Sequence, residues 1–273
     1  LASCLFGLIA PGDEVVLIEP LYDSYLPIVR QAGGVAKLVR LQPPSWTLPR
    51  ADLAAAFSAK TKLIVLNSPM NPTGKVFDVD ELAFIAGLLA KHDAYAVCDE
   101  VYEHLVFDGR KHIPLMTLPG LRERCLRLGS AGKTFSLTGW KVGYITGPAA
   151  LMQPVAKAHQ FLTFATAPNL QTAVAQGLAW PEDRFQAMRA EMQRSRDRLA
   201  SGLAAQGFVT TASEGTYFLC VNLKASGVDL DDETVCRRLV TEFGVAAIPV
   251  SADRKSTRLN SSHTDISRMP SSA

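Results

Sequence analysis

The sequence predicts an α/β protein built on a mostly parallel sheet. Short apolar runs alternate along the chain with helical stretches of ten or more residues, and connections of that length are the crossovers that parallel strands require. The runs at 62–67 and 94–98 are almost continuously apolar, which is typical of strands covered on both faces. Polar motifs follow these runs directly, as expected where parallel strands end and ligands bind.

The first 180 residues supply the elements of this sheet. Residues 1–10 indicate the end of a buried helix, and Pro11-Gly12-Asp13 the turn that stops it. Asp78 or Asp80 is expected to cap a later helix that ends near Leu89. The other predicted strands are 14–19, 35–41, 62–67, 94–98, 125–128 and 144–146, and the other predicted helices are 22–34, 50–59, 151–164 and 169–180.

A change of character near Trp180 predicts a domain boundary. Residues 182–206 read as a long charged helix, and after them come predicted strands at 208–211, 217–223 and 245–249 and a helix at 231–243. We therefore expect a large domain over 1–180 and a smaller α+β domain over 181–252.

Both ends of the sequence are unusual. The chain opens inside an apolar segment without a start methionine or a helix cap, so we expect that an N-terminal part is missing. Residues 253–263 back-translate into a DNA sequencing adapter, so we interpret 253–273 as a non-native, disordered tail. A basic binding tail is the alternative. The formal charge of this tail, +2, equals that of the whole chain, which leaves 1–252 neutral and gives no indication of nucleic-acid binding.

The composition is that of an ordinary globular protein, with 48% hydrophobic and 20% charged residues. Five cysteines without paired spacing argue against a disulfide framework and for a reducing cytoplasm. We expect no signal peptide, and no apolar run reaches the roughly 18 residues that a membrane span needs. Neither the cysteines nor the histidines show metal-ligand spacing, so we expect no metal site.

The segment Ser130–Gly143 carries two lysines eight residues apart, Lys133 and Lys141. It is too rich in Gly, Ser and Thr to form a regular helix, and it follows the apolar run 125–128. A lysine at a strand end can react with an aldehyde, and a second lysine can remain charged and face an anion. A phosphate-binding loop or a merely solvated loop is the alternative.

Two upstream segments complete a pattern: Asn67-Ser-Pro-Met-Asn71-Pro-Thr-Gly74-Lys75 and Asp99-Glu-Val-Tyr102. With these three segments, in this order, residues 1 to about 252 resemble the class I/II aminotransferases, pyridoxal-phosphate enzymes of fold type I. The kynurenine, glutamine and methionine aminotransferase subgroup is the most similar. The resemblance implies pyridoxal 5′-phosphate as cofactor.

The resemblance also implies roles for individual residues. Lys133 is expected to form the Schiff base with the cofactor and later to carry a proton, and Asp99 to face the protonated ring nitrogen. Tyr102 and Asn71 are expected to bond the phenolic oxygen of the cofactor. For Asp99 the alternative is a capping role, and for Asn71 simple turn chemistry.

Three further residues are implied at the cofactor. Ser130 and Lys141 match phosphate-binding positions, although many relatives have Arg in place of Lys141. Tyr22 matches an aromatic residue that stacks on the pyridine ring. Surface exposure for Lys141 and a core position for Tyr22 are the alternatives. Cis peptide bonds are expected at Glu19-Pro20 and Asn71-Pro72.

The implied activity is transfer of an amino group from an amino acid to a 2-oxo acid. N-succinyldiaminopimelate aminotransferase and a carbon–sulfur β-lyase are close alternatives. A cofactor-sensing domain of a transcription regulator is an alternative from another class, and a helix-turn-helix module upstream of Leu1 would mark it. A non-catalytic scaffold is disfavoured by the residue types at 71, 99, 102 and 133. Relatives are usually homodimers.

Parts of the family's active site are absent from the sequence as written. The phosphate loop and the substrate-covering loop would precede Leu1, and the arginine that binds the substrate carboxylate would follow the predicted strand 245–249. We therefore expect this 273-residue chain to be a poor or inactive catalyst although its parent is an enzyme.

Overall fold

The structure is a computed structural model that describes residues 1–251 and the backbone of 265–267. Its α-helices are α1 (Ala2–Leu8), α2 (Tyr25–Gln31), α3 (Arg50–Ala56), α4 (Val79–Lys91), α5 (Ala131–Thr134), α6 (Ala149–Leu162), α7 (Pro168–Leu178), α8 (Glu182–Ala205) and α9 (Asp232–Phe243). Its strands are β1 (Glu14–Glu19), β2 (Val35–Arg40), β3 (Thr61–Asn67), β4 (Tyr95–Asp99), β5 (Cys125–Ser130), β6 (Gly143–Thr146), β7 (Val209–Thr210), β8 (Cys220–Asn222), β9 (Ile248–Pro249) and β10 (Asp265–Ser267).

A six-stranded sheet in the order β2-β1-β3-β4-β5-β6 forms the centre of the fold. Neighbouring strands from β2 to β5 run parallel, and β6 pairs antiparallel with β5. The predicted mostly parallel sheet is therefore confirmed. Its register places Asn67 opposite Asp99, each at the end of its strand.

Helices cover both faces of this sheet. Along β1 and β3, alternate residues enter two separate buried clusters, so that Val16 and Ile64 pack on one face and Val15 and Leu63 on the other. Side chains of α3 and α4 complete the first cluster, and those of α1, α2 and α6 complete the second. Burial on both faces explains why these strands read as continuous apolar runs.

Helix α4 begins directly after Asp78, one of the two residues that the sequence offered as its N-cap. The Asp78 side chain accepts a hydrogen bond from the Glu81 N–H at 2.8 Å, and the Glu81 carboxylate accepts one from the Asp78 N–H at 3.2 Å. This reciprocal capping box makes Asp78 the N-cap and excludes Asp80.

A four-stranded sheet in the order β7-β8-β10-β9 follows α8, and each of its neighbouring pairs is antiparallel. Asp265–Ser267, three residues of the tail that was expected to be disordered, form the strand between β8 and β9. Their backbone groups pair with the N–H and C=O groups that β8 and β9 present between them. The other residues of the tail lie outside the described part of the chain.

Two local predictions need comment. Glu19-Pro20 and Asn71-Pro72 are both cis, as predicted. No regular helix was expected within Ser130–Gly143, but Ala131–Thr134 forms a single helical turn. Ala131 and Gly132 of this turn are buried, and such packing stabilises a turn whose residues have little helix propensity.

Within the described ranges, no helix is both long and apolar enough to cross a membrane. Over the same residues, no group of His, Cys, Asp and Glu side chains is arranged to hold a metal ion.

Candidate active site

A cavity of about 430 Å³ opens at the carboxyl edge of the six-stranded sheet. Six of the seven residues singled out from the sequence line it: Tyr22, Asn71, Asp99, Tyr102, Lys133 and Lys141. Ser130, the seventh, ends β5 beside the cavity but is not part of its lining. These six residues come from four separate segments, which converge because the strand ends that flank them meet at one edge of the sheet.

Asp99 provides a buried carboxylate in this lining. Tyr25 donates a hydrogen bond from its hydroxyl to Asp99 Oδ2 at 2.6 Å. Asp99 Oδ1 is buried, and among the described residues no group makes a hydrogen bond to it. Burial raises the pKa of Asp99, while the hydrogen bond from Tyr25 and the charge of Lys133 oppose this rise. The site thus contains a carboxylate oxygen suited to a donor from a ligand.

The neighbouring acid, Glu100, is compensated within the protein. Its Oε2 accepts a hydrogen bond from Arg127 Nε at 2.7 Å and lies 2.9 Å from His112 Nε2. Successive residues of a strand point to opposite sides, and only Asp99 of these two acids lines the cavity.

Lys133 lies on the single turn of α5, directly after β5. Its Nζ donates a hydrogen bond to the Tyr217 hydroxyl at 2.7 Å. The same nitrogen is 5.8 Å from the centre of the Tyr102 ring and 5.4 Å from that of Tyr217, so two aromatic rings surround the amine.

Asn67 braces the two motifs that end β3 and β4. Its Nδ2 donates to the Asp99 carbonyl at 2.8 Å and to the Pro69 carbonyl at 3.2 Å, and its Oδ1 accepts from the Asn71 N–H at 2.7 Å. One side-chain amide therefore sets the position of the Asn71 loop relative to Asp99.

The aromatic and basic residues at the rim are more exposed. Tyr22 is 42% exposed, and its ring packs edge-to-face on Tyr25, with centroids 5.6 Å apart. Lys141 is exposed and has a left-handed backbone, with φ of 56°, a conformation that non-glycine residues adopt mostly where the surroundings require it.

Comparison with known proteins shows which family the chain resembles. The family model for aminotransferase class I and II matches residues 1–268. This chain belongs to that family.

The relatives of this chain carry several names. It is 42% identical over 254 residues to a Mycobacterium tuberculosis protein named probable N-succinyldiaminopimelate aminotransferase DapC, a match that covers 92% of this chain and 64% of the relative. It is 38% identical to the kynurenine–oxoglutarate transaminase of Dictyostelium discoideum, covering 92% of this chain and 66% of that protein. The chain thus spans just under two thirds of the length of these relatives.

Solved structures confirm the fold-type I architecture of the aminotransferase chain. YbdL from Escherichia coli, identified as having a methionine aminotransferase function, superposes with a TM-score of 0.91 at 36% identity. The match covers 97% of this chain and 69% of that one.

Sequence reasoning missed three residues of the candidate site. Asn67 lay inside a recognised motif without an assigned role, and Tyr25 stands three residues after Tyr22 on a predicted helix. Either could have been found from these positions. Tyr217 is 84 residues from Lys133, and no local pattern connects the two.

Proposed function

We propose that this chain forms the catalytic part of a pyridoxal-phosphate-dependent aminotransferase. The observation that carries the proposal is the presence in one cavity of the Lys133 amine and of the Asp99 carboxylate, whose Oδ1 has no hydrogen-bond partner among the described residues. The volume of about 430 Å³ lies within the roughly 300–1,000 Å³ of small-molecule sites.

The residues present fit this cofactor. The unpartnered Oδ1 of Asp99 is suited to the N–H of a protonated pyridine ring, and Tyr22 to its face. Asn71 and Tyr102 supply donors for a phenolate oxygen. Lys141 and Ser130 supply a cation and a hydroxyl for a phosphate group.

Pyridoxal phosphate, when bound, supplies an electron sink for the α-carbon of an amino acid. Lys133 would hold the cofactor through its amine and, when that amine is free, accept and return the α-proton. Asp99 would maintain the ring's positive charge, and burial would exclude competing water from this contact.

The substrate class is proposed from the relatives. Their names include kynurenine, methionine and N-succinyldiaminopimelate transaminases, so we propose an amino acid donor of the methionine, glutamine, aromatic or kynurenine type and a 2-oxo acid acceptor. N-succinyldiaminopimelate is the second candidate donor, favoured by the 42% identity to DapC.

We also propose that the protein acts as a cytoplasmic homodimer. Phe161 and Phe164 are 87% and 79% exposed and flank Thr163, which lines the cavity. Exposed aromatic side chains at this position support burial against a second copy. The burial of all five cysteines is compatible with a reducing compartment. Light scattering at increasing protein concentration tests the dimer.

Covalent trapping tests the cofactor without requiring turnover. The chain is incubated with pyridoxal phosphate, reduced with borohydride, digested and mapped by mass spectrometry. We expect one dominant modified residue, Lys133, and its loss in Lys133→Ala. The control Lys60→Ala, an exposed lysine before β3, should retain the modification. Label distributed evenly over exposed lysines, with Lys133 unmodified, contradicts the proposal.

Amino acids then distinguish the donors. Each candidate is added in excess to a large amount of the cofactor-loaded chain over a long incubation, because this chain is expected to be a poor catalyst, and the 2-oxo acid formed is identified by mass spectrometry. Release of pyruvate and a thiol from a cysteine conjugate would instead indicate a β-lyase.

A further inference from the structure

The Lys133 amine has a partner from a distant part of the sequence. Tyr217 precedes β8 in the region after the predicted boundary near Trp180, yet its hydroxyl accepts the hydrogen bond from Lys133 Nζ at 2.7 Å. Its position next to the amine therefore needs its own explanation.

The backbone just before Tyr217 is hydrogen-bonded to two of the segments that carry site residues. The Glu214 N–H donates to the Gly74 carbonyl at 2.9 Å, at the end of the Asn71 loop. The Phe107 N–H donates to the Glu214 carbonyl at 2.8 Å, and the Thr216 N–H to the Leu105 carbonyl at 2.9 Å. These bonds fix the segment just before Tyr217 against the large domain.

The Tyr217 ring is also held in place, by packing against two other aromatic rings. It packs edge-to-face on Tyr102 with centroids 5.2 Å apart, and against Phe218 at 4.7 Å. The Tyr102 and Tyr217 hydroxyls are 3.4 Å apart. The hydroxyl that meets Lys133 is thus placed by packing and not by the lysine itself.

We propose that Tyr217 is a positioning residue for Lys133: its hydroxyl holds the free amine beside the Tyr102 ring, at the wall of the cavity. A lysine side chain has four rotatable bonds, and holding its end in one place favours reaction with a group bound in the cavity. The inference rests on the proposed function, since it assigns Lys133 as the reacting amine. It adds that the smaller domain contributes to the site.

The test compares the parent chain with Tyr217→Phe, which keeps the ring and removes the hydroxyl. Tyr95→Phe, at the amino-terminal end of β4, is the control. The first measurement is acetylation of Lys133 by a limiting amount of acetic anhydride without cofactor, with Lys60 as internal standard. The second is the rate at which Lys133 captures pyridoxal phosphate in a form that borohydride stabilises.

The two rates should move in opposite directions in Tyr217→Phe. Acetylation of Lys133 should become several-fold faster, because the amine no longer donates to the hydroxyl. Capture of pyridoxal phosphate should become about tenfold slower, because the amine is no longer held in place, an effect of the size expected for one hydrogen bond to a charged group. A general loosening of the fold would raise the first rate without this opposite change, and Tyr95→Phe should change neither.

Equal rates in Tyr217→Phe and the parent overturn the inference, as does a change of both rates in the same direction. If no variant captures pyridoxal phosphate at Lys133, the proposed function fails, while the acetylation rates still test the contact. If Tyr217→Phe melts far below the parent, the contact is measured in the parent chain by NMR. An Overhauser effect between the Lys133 ε-methylene and the Tyr217 ring is then expected, and its absence overturns the inference.

Discussion

The buried ion pair of Lys75 and Glu81 offers the clearest test of how the Asn71 loop is held. Lys75 Nζ lies 2.8 Å from Glu81 Oε1, and both side chains are 8% exposed. Lys75 follows the Asn-Pro-Thr-Gly loop directly, and Glu81 lies in the first turn of α4. The pair therefore connects a loop of the candidate site to the helix behind it.

We expect Glu81→Gln to leave the Lys75 ammonium buried without a counter-charge. Removing one partner of a buried pair costs about 3–5 kcal/mol. For a protein of this size each kcal/mol lowers the melting temperature by roughly 2–4 °C, so the decrease should be roughly 6–20 °C. Replacing an exposed partner, Glu242→Gln in the Arg238–Glu242 pair of α9, should leave the melting temperature nearly unchanged.

The converse change should be milder. In Lys75→Met the Glu81 carboxylate still accepts hydrogen bonds from the Leu48 N–H at 3.1 Å and the Asp78 N–H at 3.2 Å. The double variant Lys75→Met, Glu81→Gln should lose less stability than the two single variants together, because neither charge is then left alone.

The stability of these variants is measured by thermal melting followed by circular dichroism, with urea unfolding as a second measure. A Glu81→Gln variant that melts within about 2 °C of the parent, like the exposed control, refutes the assigned cost. If the loss of stability in the double variant equals the sum of the losses in the two single variants, the two side chains do not interact.

Other features of the molecule give three further predictions. Gly74→Ala should destabilise the protein by at least about 1–3 kcal/mol, because Gly74 has φ of +72° and an added Cβ would meet Ser213 and the Gly215 carbonyl. Gly109 has a similar φ of +71° but open space around it, so Gly109→Ala should lower the free energy of unfolding by less in the same urea titration. Equal losses in the two variants would show that the contacts of the added Cβ do not contribute. Burial raises the pKa of Asp99, so the parent loses stability as pH rises from about 4 through that raised pKa. Asp99→Asn lacks this titrating group and should therefore melt above the parent at pH 7. The difference between the two melting temperatures should shrink towards pH 4, and a difference independent of pH would contradict the raised pKa. All five cysteines are buried, and burial raises the pKa of Cys4 to about 11. Ellman's reagent should therefore react with none of them at pH 8 in the folded chain and with all five in guanidinium. Rapid reaction of the folded chain would show that the core opens.

Much of the fold was predictable because it is encoded locally. Strand β1 begins and ends at the predicted residues, and β3 and β4 do so to within one residue, since a strand buried on both faces must be apolar throughout its length. The residues that follow these strands carry the recognised motifs, and parallel strands bring their carboxyl ends to one edge. Six of the seven candidate residues therefore meet in one cavity.

Other features could not be read from local pattern. The direction of β6 depends on its pairing with β5, and a short apolar run has the same composition in either direction. The choice of Asp78 over Asp80 as N-cap was decided by the reciprocal bond with Glu81. The strand at Asp265–Ser267 required partners from β8 and β9.

By itself the sequence determined the α/β class, the positions of the strands of the six-stranded sheet and the identity of the groups that can do chemistry, because apolar periodicity and motif order are properties of neighbouring residues. Tertiary structure alone decided which of those groups touch. The hydrogen bond from Tyr25 to Asp99 spans 74 residues and that from Lys133 to Tyr217 spans 84. Contacts over such separations depend on how complete elements pack, and no short stretch of sequence contains that information.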